Sequence, residues 1–219
     1  MFISRIMLKK VSCRNDGFWQ MFDNEYALHQ AVWDLFADRP DRERDFIYRM
    51  DATGKLPVIY AVSRRRPVNA GGSWDVEIKE YDPQITADMR LGFSVRVNPT
   101  VKRDGKRHDV VMDAKHKIRS GAVSDENKKA LAEIVTKACV DWLKERSAKN
   151  GFDVLAARAD GYRQSRFGKK KGGVPIRYST VDLTGVLQVR DGQSFKNMLF
   201  EGFGPEKGFG CGLMLVRKI

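Results

Sequence analysis

Tyr26, His29 and Trp33 stand at i, i+3 and i+7 in "EYALHQAVWDLF", residues 25–36, with Gln30 beside them. In a helix that spacing puts the three rings on one side. Leu28, Ala31, Val32 and Leu35 follow i, i+3, i+4, i+7 and form an apolar stripe on the other side. An imidazole one turn from a phenol is a proton-transfer group beside a hydrogen-bond donor, because histidine both takes and gives a proton near neutral pH. The same spacing also suits an aromatic cluster packed on another element, and spacing alone leaves both readings open. His108 and His116, the other two histidines, lie in the basic segment "KRDGKRHDVVMDAKHK" and read as surface residues. No third ligand stands near them at zinc spacing, and no carboxylate motif for a metal occurs. The pattern therefore predicts metal-independent chemistry without a cofactor.

A second group of residues suits a polyanion. Lys plus Arg number 40 against 28 Asp plus Glu, a formal net charge of +12. The excess is clustered, which favours a nucleic-acid partner over a surface charged only for solubility. Between Arg158 and Arg177 there are seven Lys or Arg and one Asp. Arg163, Arg166, Lys169, Lys170 and Lys171 bracket an expected hairpin tip, which could lie against a folded RNA. "EGFGPEKGFGCG", residues 201–212, holds Gly202, Gly204, Gly208, Gly210 and Gly212 around Lys207. Bare backbone N–H groups in such a loop can approach phosphates. It is neither a Walker A loop nor a dinucleotide fingerprint. "KGFGCGLM" starts like the aromatic strand of an RNA-recognition motif, but Cys211, Gly212 and Met214 stand where that strand needs other residues. No helix-turn-helix or zinc-finger pattern supports a DNA-binding scaffold.

These residues must be positioned by a fold. At 219 residues with 42% apolar content, the chain can form one large domain or two small ones. No signal peptide or membrane span is read, and three scattered cysteines fit a reducing cytoplasm. "FISRIML" alternates as a strand, with Phe2, Ser4, Ile6 and Leu8 on one side. The helix follows, with Asp23 or Asn24 as N-cap, then "FIYRM" and "LPVIYAVSR" as a hairpin across "DATGK". "WDVEIKEY" is the next strand. The second half predicts "RLGFSVRVN" as a strand, "PTVKRDGKRHDV" as a basic loop or hairpin, and a long helix between Ser124 and Gly151. That helix carries an expected buried stripe of Leu131, Ile134, Val135, Ala138 and Trp142. Two long strands, a short helix behind Asp191 and a last strand "LMLVRKI" complete it. The order β-α-β-β-α-β thus occurs twice, with the second helix of the first unit missing or reduced to "PVNAG". The predicted class is α+β, with tandem ferredoxin-like (RRM-like) domains at 1–85 and 86–219.

With "MFISRIML", "YALHQAVWDLF" running into "ADRPDRERDFIYR", "FSVRVNPT" and "GFGPEKGFGCGLMLV", the chain resembles the CasE-type CRISPR RNA-processing endoribonucleases of the type I-E Cascade complex. The match spans most of the length; the middle third matches loosely. The resemblance implies two ferredoxin-like domains and, as substrate, the repeat stem-loop of precursor CRISPR RNA. It implies metal-independent attack of a 2′-hydroxyl on the adjacent phosphorus at the hairpin base, giving 2′,3′-cyclic phosphate and 5′-hydroxyl ends. It implies a protein that stays with the product and the other Cascade subunits, with no membrane partner. His29 matches the family's catalytic histidine, Tyr26 the tyrosine found beside it in some members, and Arg39 an arginine near the site. The rival reading is a non-catalytic RNA-hairpin-binding subunit of a ribonucleoprotein, in which His29 only packs.

Overall fold

The structure is a computed structural model that describes residues 1–9, 25–37, 43–52, 54, 56–69, 71–118, 125–167 and 176–219. Its first sheet is built from β1 (Phe2–Leu8), β2 (Phe46–Asp51), β3 (Val58–Ser63) and β4 (Trp74–Glu80), in the order β2-β3-β1-β4. Helix α1 (Glu25–Asp34) connects β1 to β2. Every neighbouring pair is antiparallel. The second sheet takes β5 (Arg90–Val97), β8 (Phe152–Phe167), β9 (Ile176–Val189) and β10 (Met214–Lys218), in the order β10-β5-β9-β8, again antiparallel throughout. Both sheets have the fourth-first-third-second arrangement of a ferredoxin-like unit, which is the predicted duplication. The second helix of the first unit is absent among the described residues between β3 and β4.

The second unit has one helix more than predicted. The basic segment forms a small hairpin, one of its two expected forms, of β6 (Thr100–Arg103) and β7 (Lys106–Asp109), which runs directly into the additional helix α2 (Val110–Ile118). Asp109 caps that helix, its Oδ1 accepting from the N–H groups of Val111 at 2.8 Å and Met112 at 3.1 Å. The long helix α3 (Asp125–Ser147) buries Cys139, Trp142 and Leu143, whereas Ile134 is 40% exposed. The predicted stripe was therefore wrong at Ile134 and missed two of its central residues. Gly151 follows a short 3₁₀ turn in the left-handed conformation, φ 76°, as expected of a C-terminal stop. Helix α4 (Gly192–Glu201) is capped by Asp191, as predicted, with bonds of 2.9 Å from the N–H groups of Gln193 and Ser194. Ser124, Asp23 and Asn24, the other cap candidates, lie outside the described residues.

Both faces of the first sheet are covered, and β2 shows why "FIYRM" carries no clean alternation. Phe46, Tyr48 and Met50 pack with Leu28, Val32, Leu35 and Phe36 under α1. Ile47 turns the other way, to Val62, Leu213, Leu215 and Phe200. Fully burying each such side chain contributes about 1.5–3 kcal/mol. Arg49 also faces the second unit. Its Nη1 donates to Ser94 Oγ at 2.8 Å, and its Nη2 lies 3.9 Å from Asp182 Oδ1. Arg96 grips the same carboxylate through Nε and Nη2, at 2.9 and 2.8 Å, and reaches Met50 O at 3.3 Å. Burial lowers the Arg49 pKa, while the hydrogen bonds to Asp182 raise that of Arg96. Asp182 thus fastens β2 of one sheet to β5 and β9 of the other.

Beyond the Val97–Val181 pair, β9 continues without β5. Arg163–Phe167 and Ile176–Thr180 run on as a two-stranded ribbon, after a bulge between Asp160 and Arg163. Such a bulge bends the strand that carries it. Tyr162, in the bulge, donates to Asp109 Oδ2 at 2.9 Å, so the ribbon's base is anchored to the cap of α2. Desolvation, reinforced by that carboxylate, pushes the phenol well above its ordinary pKa.

Candidate active site

Helix α1 forms because its two faces differ. Leu28, Val32 and Leu35 are buried in the first core, as the stripe predicts, while Tyr26, His29 and Trp33 are partly buried on the side toward the glycine loop. Trp33 packs edge-on to Phe46 at 5.6 Å and supports the core. Tyr26 lies 6.3 Å from His29, ring centre to ring centre. The loop after α4 crosses from the second unit to meet them. Phe209 sits 5.1 Å from the imidazole and also stacks on Tyr178 at 5.3 Å.

The decisive contact is polar. His29 Nδ1 lies 2.6 Å from Gly208 O. A carbonyl oxygen only accepts, so Nδ1 carries the proton and Nε2 of the neutral ring keeps a lone pair. The loop thereby orients the ring and selects its tautomer.

The loop holds this position through packing and a few bonds. Lys207–Phe209 form a 3₁₀ turn, entered through Glu206 in the left-handed conformation at φ 57°. Glu206 O accepts from Phe209 N at 2.9 Å, and its carboxylate takes Arg107 Nη1 at 2.8 Å. Gly212 has φ 91°, and a Cβ there would stand 2.8 Å from Phe203 O, so only glycine fits. Its N–H donates to Arg96 O at 2.8 Å, tying the loop to the same arginine that holds Asp182.

Two clefts adjoin the glycine loop, one at Lys207 and the other at Glu206. One, of about 640 Å³, is lined by Arg44, Arg64, Lys207, Asn197 and Glu201 among others. Burial lowers the pKa of Arg44, with Tyr48 and Glu206 acting against it. Burial also lowers that of Lys207, opposed by Glu201 and reinforced by Arg44. The other cleft, about 450 Å³, is lined by Arg107, Arg166, Arg177, Gln164, Tyr178 and Glu206 among others. Arg166 and Arg177 face each other directly across the ribbon. Neither meets a carboxylate among the described residues, and like charges in that register repel. An imidazole oriented by a carbonyl thus stands beside a loop whose two neighbouring clefts carry three cations each, with Glu43, Asp45 and Glu201 in the first and Asp109 and Glu206 in the second. No three His, Cys, Asp or Glu converge as a metal site among the described residues. No helix there is long and apolar enough to cross a membrane.

A family profile of CRISPR-associated proteins matches residues 1–218. The chain belongs to the CRISPR-associated protein family. Within that family it is of the CasE type. It is 28% identical over 195 residues to the CRISPR system Cascade subunit CasE of Escherichia coli K12, covering 86% of this chain and 89% of that relative. Among solved structures it is similar to CRISPR endoribonuclease Cse3 bound to a 19-nucleotide RNA, with TM-score 0.75, 21% identity, and coverage of 99% and 100% of the two chains. It is also similar to Thermus thermophilus Cse3 bound to an RNA representing a pre-cleavage complex, with TM-score 0.71, 18% identity, and coverage of 99% and 98%. At these identities the structural likeness establishes the shared fold.

For this CRISPR-associated chain, the predicted residues separate into groups. The structure brings His29, Tyr26, Lys207 and Gly208 together, and it places Arg163 and Arg166 exposed on the ribbon. Arg39, Lys169, Lys170 and Lys171 lie outside the described residues. Gly202 departs from its expectation as an RNA contact: it is buried against Ile47, and its N–H is donated to Met198 O at 2.8 Å. Gly210 is buried against the Tyr48 ring, and Gly204 faces Trp142; both serve packing. Sequence reasoning missed Arg44, Arg107 and Arg177 as site residues. Arg177 closes the basic run that singled out Arg163 and Arg166, whereas nothing in the spacing of "DRERD" sets Arg44 apart from the charges around it.

Proposed function

We propose that this chain is a metal-independent endoribonuclease that binds the repeat stem-loop of precursor CRISPR RNA and cleaves once at its base. The observation that carries the reading is the His29 Nδ1–Gly208 O bond, which leaves Nε2 of the neutral ring its lone pair for proton exchange, beside a loop with arginine-bearing clefts on it. Supporting it are the family membership and the relatives with shared fold that are named as an RNA-bound endoribonuclease. By the same likeness to a Cascade subunit, the product hairpin stays bound within Cascade.

The chemistry follows from the groups. The 2′-hydroxyl loses its proton and forms the 2′-O–P bond; the P–O5′ bond breaks, and the 5′-oxygen gains a proton. Neutral His29 can accept at Nε2 and, once protonated, donate there, with Gly208 O holding the other nitrogen in either state. Tyr26 assists by hydrogen bonding to the phosphate or ribose. Arg163, Arg166 and the Lys169–Lys171 segment grip the stem, Lys207 and the loop backbone at Gly208 contact the strand near the cut, and Arg39 is a further phosphate contact carried by the resemblance. The boundary between the N-terminal catalytic unit and the C-terminal binding unit falls near residue 85.

Analysis of the product ends tests the reading. Incubation of the protein with a labelled repeat hairpin in excess EDTA should give one cut with 2′,3′-cyclic phosphate and 5′-hydroxyl ends. The same hairpin with 2′-deoxyribose at the scissile nucleotide should bind and stay whole. Cleavage that needs magnesium, or that persists on the deoxy substrate, contradicts it; binding without cleavage of either RNA supports the non-catalytic subunit instead.

A further inference from the structure

The proposed reaction passes through a phosphorane whose extra negative charge calls for a fixed cation, and such preorganised electrostatics is a large catalytic term. Several cations lie near His29, and most have other engagements. Arg107 is held by Glu206 at 2.8 Å. The Lys207 stem folds against Gly212, and its charge is felt by Glu201. Arg166 and Arg177 line the cleft on the far side of Phe209, beyond Tyr178.

Arg44 differs. It immediately precedes the stretch that enters β2, with Asp45 between it and Phe46. Its guanidinium lies over Gly208, the residue whose carbonyl orients His29. The point where a Cβ on Gly208 would sit is 2.8 Å from Arg44 Nη1 and 3.7 Å from His29 Cε1. Cε1 lies between Nδ1, which meets the Gly208 carbonyl, and Nε2. The absent side chain of Gly208 thus lets the cation and the imidazole approach the same point, within a few ångströms of each other. Arginine also suits the task because it stays protonated and presents several N–H donors to phosphate oxygens.

We propose that Arg44 is a catalytic residue, whose guanidinium touches a non-bridging oxygen of the scissile phosphate and stabilises the phosphorane. This rests on the endoribonuclease reading above. Arg44 exchanges no proton; it donates hydrogen bonds while the 2′-O–P bond forms and the P–O5′ bond breaks.

The experiment uses full-length protein, a labelled CRISPR-repeat RNA hairpin and its 2′-deoxy counterpart. Single-turnover rates at saturating protein are compared with Kd for the deoxy hairpin, for wild type, Arg44→Ala, Arg44→Lys and His29→Ala. Arg44→Ala should lose about 100- to 1000-fold in rate, with Kd changed by less than about threefold. Arg44→Lys should keep part of the rate. Guanidinium ion at non-denaturing concentration should restore part of the rate to Arg44→Ala and none to His29→Ala. A saturated Arg44→Ala rate near wild type overturns the proposal. So does a loss that guanidinium leaves unrepaired, which makes Arg44 a prop for the loop, or a loss confined to Kd, which makes it a binding contact. Full activity of His29→Ala overturns the parent reading instead, whatever Arg44 does.

Discussion

His29 and Gly208, 179 residues apart in the chain, are joined by a 2.6 Å contact from imidazole Nδ1 to carbonyl oxygen. The proton-transfer face of the first unit is thus oriented by the last loop of the second. Neither unit alone contains the site.

The same glycine separates folding from activity. In Gly208→Ala the new Cβ meets the flexible end of Arg44 at 2.8 Å, and the atoms nearest to it all belong to the side chains of Arg44 and His29. The side chain can swing aside, so stability should change by less than about 1 kcal/mol. The cleavage rate should fall, because Arg44 leaves its place beside His29. Thermal melting and single-turnover cleavage measure the two effects, and an unchanged rate contradicts the placement of Arg44.

Arg166 and Arg177 repel across the ribbon until an anion lies between them. Arg166→Ala and Arg177→Ala should each weaken hairpin binding and lower the slope of log affinity against log salt by about one. Titrations at several salt concentrations read the slope; one that stays at the wild-type value places phosphate elsewhere.

Asp182 binds Arg96 and neighbours Arg49 at the junction of the two sheets. Asp182→Ala leaves two largely covered guanidiniums without their carboxylate. The cost should be about 2 kcal/mol, below the 3–5 of a fully buried pair because these groups keep some solvent contact. Urea unfolding measures it. Cleavage should fall as well, since Arg96 O also holds Gly212 of the loop. A variant as stable and active as wild type removes Asp182 from the interface argument.

The fold was legible where one face of an element is apolar and the other is not. Leu28, Val32 and Leu35 marked α1, Ser4, Ile6 and Leu8 marked β1, and Asp191 marked the start of α4. It was less legible where contacts come from afar. Ile134 repeats correctly along α3 but faces out, because the stripe turns toward Cys139 and Leu143 against a sheet the helix sequence does not mention. Helix α2 was lost in a basic run, since its cap Asp109 sits at the end of a hairpin. The site shows the same division. Helical spacing placed Tyr26 and His29 on one face, but Gly208 O, Phe209 and Arg44 reach them only through tertiary structure. Glycine count suggested phosphate contacts, whereas Gly202 and Gly210 serve close packing.

The most direct test of the account is single-turnover cleavage of the repeat hairpin by His29→Ala, alongside its Kd for the 2′-deoxy hairpin. The rate should fall by about 10²- to 10⁴-fold, with Kd within about threefold of wild type, because the imidazole moves a proton and does not carry the affinity. Cleavage by His29→Ala at close to the wild-type rate would contradict it.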